Sequence, residues 1–165
     1  MSLSDLSRRA VVIGLTAMLA SCGFTPVYGP NGGGQALRAQ IRPIEPDTDL
    51  TFAFVRQFEE RLGRAADPRW ELAYTIVTSD EALAIDGSNN ITRYNIEGTL
   101  NWTLVPIGSN VVTLKGQEVS FTSYSATGST VSTLESERDA QRRLAAILAD
   151  KVVTRLLADA AALQP

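Results

Sequence analysis

One cysteine and no histidine set the limits of the chemistry open to this 165-residue chain. Without imidazole, the commonest zinc ligand, the Ser-His-Asp and Cys-His arrangements, and the commonest general base are all missing. Carboxylates remain, yet no paired Asp/Glu motif stands out among the 18 acidic residues, so no catalysis is expected. The cysteine, Cys22, has a distinctive approach. Arg8-Arg9 lead into residues 10–20, which are apolar apart from Thr16. That length matches the core of a secretory signal and is too short for a bilayer-spanning helix. Ala20 and Ser21 are small enough for a peptidase pocket. An unpaired thiol in an exported chain is a liability, whereas a covalently modified one is not.

Leu19-Ala20-Ser21-Cys22 resembles the lipobox of bacterial lipoproteins. The resemblance implies a diacylglyceryl group on the Cys22 sulfur, cleavage before Cys22 and acylation of the new amine. Each buried methylene contributes ~0.8 kcal/mol, so several chains anchor almost irreversibly. No other cofactor is expected. Gly23 stands where lipoproteins retained in the inner membrane often carry Asp, which implies the inner leaflet of the outer membrane. Ser7-Arg8-Arg9 leaves Sec and twin-arginine export both open.

Three segments are therefore expected: a cleaved signal at 1–21, a lipidated Gly/Pro-rich tether at 22–35 and one folded domain at 36–165. Cleavage removes two arginines and Asp5, leaving 13 basic and 17 acidic side chains and a formal charge of −4. A mildly acidic chain is a poor polyanion binder, so nucleic acid is not an expected partner. In the tether, Pro26, Pro30 and Gly32-Gly33-Gly34 disfavour helix and strand alike. As a coil it would span roughly 20 Å.

Residues 36–44 alternate, which predicts a short strand with Arg38 and Arg42 on one face, ended by Pro43 at a sheet edge. Oxygens at 47–49 can cap a helix over 49–64, with Phe52, Val55, Phe58 and Leu62 as its stripe and Phe54–Phe58 as an aromatic pair. Period two returns at 70–85. After a turn at 86–90 it continues through 91–105, where Tyr94, Ile96, Leu100, Trp102 and Leu104 face one way. Arg93, Asn95, Glu97, Thr99, Asn101 and Thr103 face the other, giving one dry and one wet side. In the next strand Val119 and Phe121 fall out of phase with Val112 and Leu114. A bulge near 116–117 would return them to the core and leave Lys115 on the polar face. Thr133 can cap a final helix reaching about 162, with Ala140, Leu144, Ile147/Leu148, Val152 and Leu156 as its stripe. The expected architecture is α+β, order β-α-β-β-β-α. It is a two-layer sandwich with both helices on one face of a mostly antiparallel four-stranded sheet.

Cys22-Gly23-Phe24, then Pro26, Tyr28 and Gly29, with this element order and the 140–156 helix, resemble the LptE family of lipopolysaccharide-assembly lipoproteins. The resemblance covers essentially the whole chain. It implies an outer-membrane lipoprotein that plugs and helps assemble an LptD-type β-barrel and assists lipopolysaccharide transport. It also implies basic residues on the sheet for lipopolysaccharide contact. Arg93 and Lys115 are the first candidates, Arg38 and Arg42 the next. Lipid A phosphates need such cationic partners. A second reading is a lipoprotein subunit of an ABC-type envelope lipid-transport machine. A third is a carboxylate hydrolase of envelope glycans or lipids.

Overall fold

The computed structural model describes Gly29 and residues 33–85, 87 and 90–163; the lipobox, Cys22 and most of the expected tether lie outside them, as does most of the 86–90 turn. In chain order the elements are α1 (Gly33–Leu37), β1 (Ile41–Pro43), α2 (Asp49–Leu62), β2 (Trp70–Ile85), β3 (Ile91–Pro106), β4 (Leu114–Ser125), α3 (Thr130–Ala158) and a closing 3-10 turn (Ala160–Leu163). One mixed sheet runs β1-β2-β3-β4. Only β1 and β2 are parallel, which requires a crossover, and α2 supplies it. The two-layer α+β expectation holds, with one short helix added at the start.

Alternation in β3 becomes burial. Ile96, Leu100, Trp102 and Leu104 are buried under the helices, while Arg93, Glu97 and Asn101 are exposed. Ile76 pairs with Leu100 and Tyr74 with Trp102, so the dry face continues across β2. Onto it α2 lays Phe54, Phe58 and Leu62. The Phe54 ring stands 4.6 Å from Tyr74 and 6.2 Å from Phe58. The helix starts at Thr48, whose hydroxyl accepts from the Thr51 amide at 3.2 Å while the Thr51 hydroxyl accepts from the Thr48 amide at 2.9 Å. That reciprocal pair satisfies two otherwise orphaned donors. Along α3, Ala140, Leu144, Leu148, Val152 and Leu156 are fully buried, as the stripe predicts, together with Ala145, Ala149 and Val153, whereas Ile147 of the expected stripe is exposed.

Four expectations are corrected. Residues 36–44 are not one strand. Gly33–Leu37 is helical and tucks Leu37 into the core, Ala39 turns the chain at φ +54°, and only Ile41–Pro43 is extended. A left-handed residue breaks period two, so Arg38 sits in a turn and shares no strand face with Arg42. Pro43 does end an edge strand, as expected. Secondly, β4 has no bulge. A single register runs from Leu104↔Leu114 to Arg93↔Ser125, and Val119 and Phe121 stay on the open face. The inward positions of β4 suit close helix approach instead. The Trp102 indole covers Gly116, where a Cβ would lie 2.7 Å from the ring. The Thr122 hydroxyl, buried, donates to the Ala140 carbonyl at 2.9 Å. The irregular register lies instead between β2 and β3, at Ala82–Ile85. Thirdly, α3 starts earlier than Thr133: the Ser129 hydroxyl caps it by accepting from the Ser132 amide at 3.3 Å. Lastly, Phe52 is exposed, because the buried stripe of α2 runs through Ala53 and Phe54.

Candidate functional site

With both helices on one side, the opposite face of β2, β3 and β4 is left uncovered. Its side chains are mainly Thr, Asn, Gln, Ser and a few charges, which alternation had assigned to the wet face. An apolar ridge crosses it. Val77, Thr99 and Val119 pair in one row, and Phe121, 67% exposed, pairs with Glu97 beside them. Sequence reasoning missed this ridge because it sent Val119 and Phe121 to the core. The unbroken alternation from 114 to 125 was the signal that could have found it.

Arg93 and Lys115 share this face, as expected, but the fold does not bring them together. Arg93 pairs with Ala84 and Ser125 near the β2–β3 turn; Lys115 pairs with Thr103 at the other end. Ten residues separate their rows, about 33 Å along a strand. Neither has an acid within ion-pair distance among the described residues. Two residues along from Arg93, the Asn95 Oδ1 is buried without a hydrogen-bond partner there. Arg42 is committed elsewhere, to Glu71 at 3.0 Å across the β1–β2 pair. Arg38 is exposed in its turn, and Cys22 lies outside the described residues.

A second cationic cluster lies between the helices. Arg56 from α2 and Arg138 and Arg142 from α3 line a cleft of about 450 Å³ between the helices, with Phe52 and Asp49. Each guanidinium meets only an exposed acid on its own helix, at 2.7–3.8 Å. Such exposed pairs contribute under about 1 kcal/mol each.

Titratable groups offer no acid–base pair. Burial, reinforced by Asp47, pushes the Tyr74 phenol up to about 12. Tyr124, stacked on Tyr94 at 5.3 Å, is also raised, by burial first and then by Glu137, Asp80 and Tyr94. Both phenols stay neutral at physiological pH. Among the described residues Thr122 is buried beside the tyrosines, and no cluster of three metal-ligating side chains occurs.

A family model described as LptE, lipopolysaccharide-assembly, matches residues 37–156, which takes in every element from the end of α1 nearly to the end of α3. No curated protein sequence matches significantly. Solved structures share the fold at low identity. A Caulobacter crescentus CB15 protein described as a candidate lipoprotein superposes with TM-score 0.65 at 16% identity, covering 78% of this chain and 96% of that one. Rare lipoprotein B of Shewanella oneidensis gives 0.55 at 11%, with 75% and 96% covered. A minor lipoprotein of Acinetobacter baumannii gives 0.54 at 15%, with 73% and 90% covered.

Proposed function

The chain belongs to the LptE lipopolysaccharide-assembly family, and from that membership we propose an outer-membrane lipoprotein, anchored by acyl groups on Cys22, that plugs and assists assembly of an LptD-type β-barrel. Its contribution is positioning and contact, with no reaction of its own, and it helps pass lipopolysaccharide to the cell surface. The observation that carries the reading is the uncovered polar face of the sheet. Porin-type barrels have polar, water-filled lumens, and a broad Thr/Asn/Gln/Ser surface suits such a wall better than it suits lipid. The ridge at Val77, Val119 and Phe121 supplies an apolar contact within it.

For lipopolysaccharide itself, Arg93 is the stronger contact because its exposed side chain meets no acid among the described residues and a guanidinium can hold a phosphate through two parallel hydrogen bonds. Lys115, about 33 Å away, acts as a separate contact on the same face. Arg42 is the weakest candidate while Glu71 holds it.

Co-purification of the lipidated chain from mildly solubilised outer membrane tests the proposal. A stoichiometric large β-barrel is the expected companion. An inner-membrane transporter subunit in its place would move the chain to the ABC-type lipid-transport reading, and recovery of the chain alone would refute the barrel role.

A further inference from the structure

The fold has two unlike ends. At one, β1 and β2 start together (Ile41↔Trp70), β3 finishes (Trp70↔Pro106) and β4 starts (Leu104↔Leu114). Here α1 packs on the 3-10 turn that follows α3. Gly33, where the described domain joins the N-terminal segment, is at this end.

The β3–β4 loop is also there, and it is unusually apolar for a hairpin turn. Ile107, Val111 and Val112 are 45%, 71% and 48% exposed. Its backbone is pinned. Ile107 N–H donates to the Arg69 carbonyl at 2.9 Å, Ser109 N–H to Pro106 at 3.0 Å and Thr113 N–H to Leu104 at 2.9 Å. The Val111 amide donates to the Ser109 hydroxyl at 3.1 Å. The three aliphatic side chains are thus held outward instead of folding back on the core.

Charge divides along the same axis. Residues 33–42, 61–71, 104–118 and 154–163, at the Gly33 end, carry seven Lys/Arg and four Asp/Glu, and two further acids, Glu59 and Asp150, reach in to pair with Arg64 and Arg61, which still leaves a positive excess. The described residues of the far end, 44–52, 78–84, 91–97 and 121–143, carry four and nine. In a chain of negative net charge the Gly33 end alone is cationic. Exposed aliphatic groups backed by cationic charge are the pattern of a protein surface that rests on an anionic bilayer.

We propose that residues 107–113 dock on a bilayer bearing anionic headgroups, as a second membrane contact beside the acyl anchor. This rests on the lipidation of Cys22 in the proposed function. Eleven residue-to-residue steps lead from Cys22 to Gly33, a reach of at most about 36–40 Å. The sixteen-residue strands span about 53 Å. Turning the acidic far end to the membrane would lift Gly33 beyond the reach of its anchor, so the loop end faces the lipid.

The test uses the full lipidated chain carrying Val111→Cys with a nitroxide label, reconstituted alone in vesicles of three parts phosphatidylcholine to one part phosphatidylglycerol. Cys22 is occupied by lipid, so the label reports position 111. A second preparation carries the label through Ser125→Cys at the far end. Power-saturation EPR should give the 111 label several-fold greater access to oxygen than to an aqueous nickel chelate, and the 125 label the reverse. Adding Ile107→Ser and Val112→Ser should return the 111 label to aqueous values while leaving barrel co-purification unchanged. With no other protein in the vesicle, depth at 111 can come only from lipid. A chain that floats with vesicles yet keeps its 111 label aqueous overturns this inference and leaves the anchor standing. A chain that does not float overturns both.

Discussion

Replacing Phe121 with Ser should barely disturb folding, although Phe is among the costliest residues to remove from a core. The ring is 67% exposed, so about a third of it is covered. Full burial of such a side chain contributes about 1.5–3 kcal/mol, which scales to roughly 0.5–1 kcal/mol here. Phe58 is the internal comparison: it is fully buried beside Phe54, and truncation of a core Phe costs about 3–5 kcal/mol. Urea denaturation of the two variants against the parent should therefore differ by about 2–4.5 kcal/mol between Phe121→Ser and Phe58→Ala. Thermal midpoints should follow, a few degrees for the first and well over ten for the second. Because the proposed barrel contact uses the open face, Phe121→Ser should also lower barrel recovery at unchanged expression. A loss near 3 kcal/mol at Phe121 would refute the reasoning. It would mean that a bulge at 116–117 turns the ring inward and that the straight β3–β4 register is wrong.

Further outcomes follow from the same geometry. Ser129→Ala should cost about 1 kcal/mol of stability by urea melt, because it removes the α3 cap, whereas Thr133→Ala inside the helix should stay within about 0.5 kcal/mol. Tyr74 keeps its proton up to about 12 in the fold but gives it up near 10 when unfolded, so the folded state binds more protons between those values. Its stability contribution is whole below pH 10 and is lost as pH rises toward 12, by on the order of 2 kcal/mol. Tyr74→Phe should flatten that part of the pH–stability curve. Arg93→Glu and Lys115→Glu should each reduce lipopolysaccharide retention, and the double variant should show the sum of the two free-energy losses, since sites about 33 Å apart do not couple. A double loss equal to either single loss would mean that they grip one group together.

The parts of the fold legible in the sequence are those where one periodicity ran long enough to be imposed by burial. β3 and most of the stripe of α3 were readable because sixteen and twenty-nine positions respectively repeat one pattern, with the exposed Ile147 as the exception. At 33–44 the pattern was too short. Leu37 and Ile41 are both buried, but one belongs to a helix and the other to a strand, and Ala39 between them takes a conformation that alternation cannot announce. In β4 the error had a different origin. Val119 and Phe121 were given to the core because they are apolar, when the core side was reserved for Gly116 by the Trp102 indole and for Thr122 by a buried hydroxyl contact with α3. Hydrophobicity is a one-way guide, since many apolar side chains remain at the surface. Chemistry was legible as residue type and much less as proximity. Arg93 and Lys115 were placed on one face by parity, yet their separation follows from antiparallel register, which parity does not contain.

The sheet edges show what the fold leaves available. An unpaired strand edge invites a second chain, and proteins usually blunt it. On β4 the blunting comes from α3: Lys151 Nζ donates to the Val119 carbonyl at 2.5 Å and Arg143 to the Ser123 carbonyl at 3.2 Å. These bonds occupy the outward carbonyls with cations, which also explains why two of the helix's basic residues lean toward the sheet. On the other side β1 covers β2 only from Trp70 to Leu72. Beyond it the outer edge of β2 has no strand neighbour among the described residues. Asp80 and Glu81 sit on that stretch without ion pairs among the described residues, and adjacent like charges there disfavour a second copy laying down the same strand. Protection by charge alone works only while the surroundings are aqueous, because desolvating an unpaired carboxylate is costly. The far end of the hairpin therefore belongs in water or against a polar wall, and the aliphatic loop at the opposite end does not share that restriction. In the proposed barrel role, these charges favour an orientation with the acidic end in the polar lumen and the cationic end toward the membrane, since the reverse would set acids against lipid phosphates.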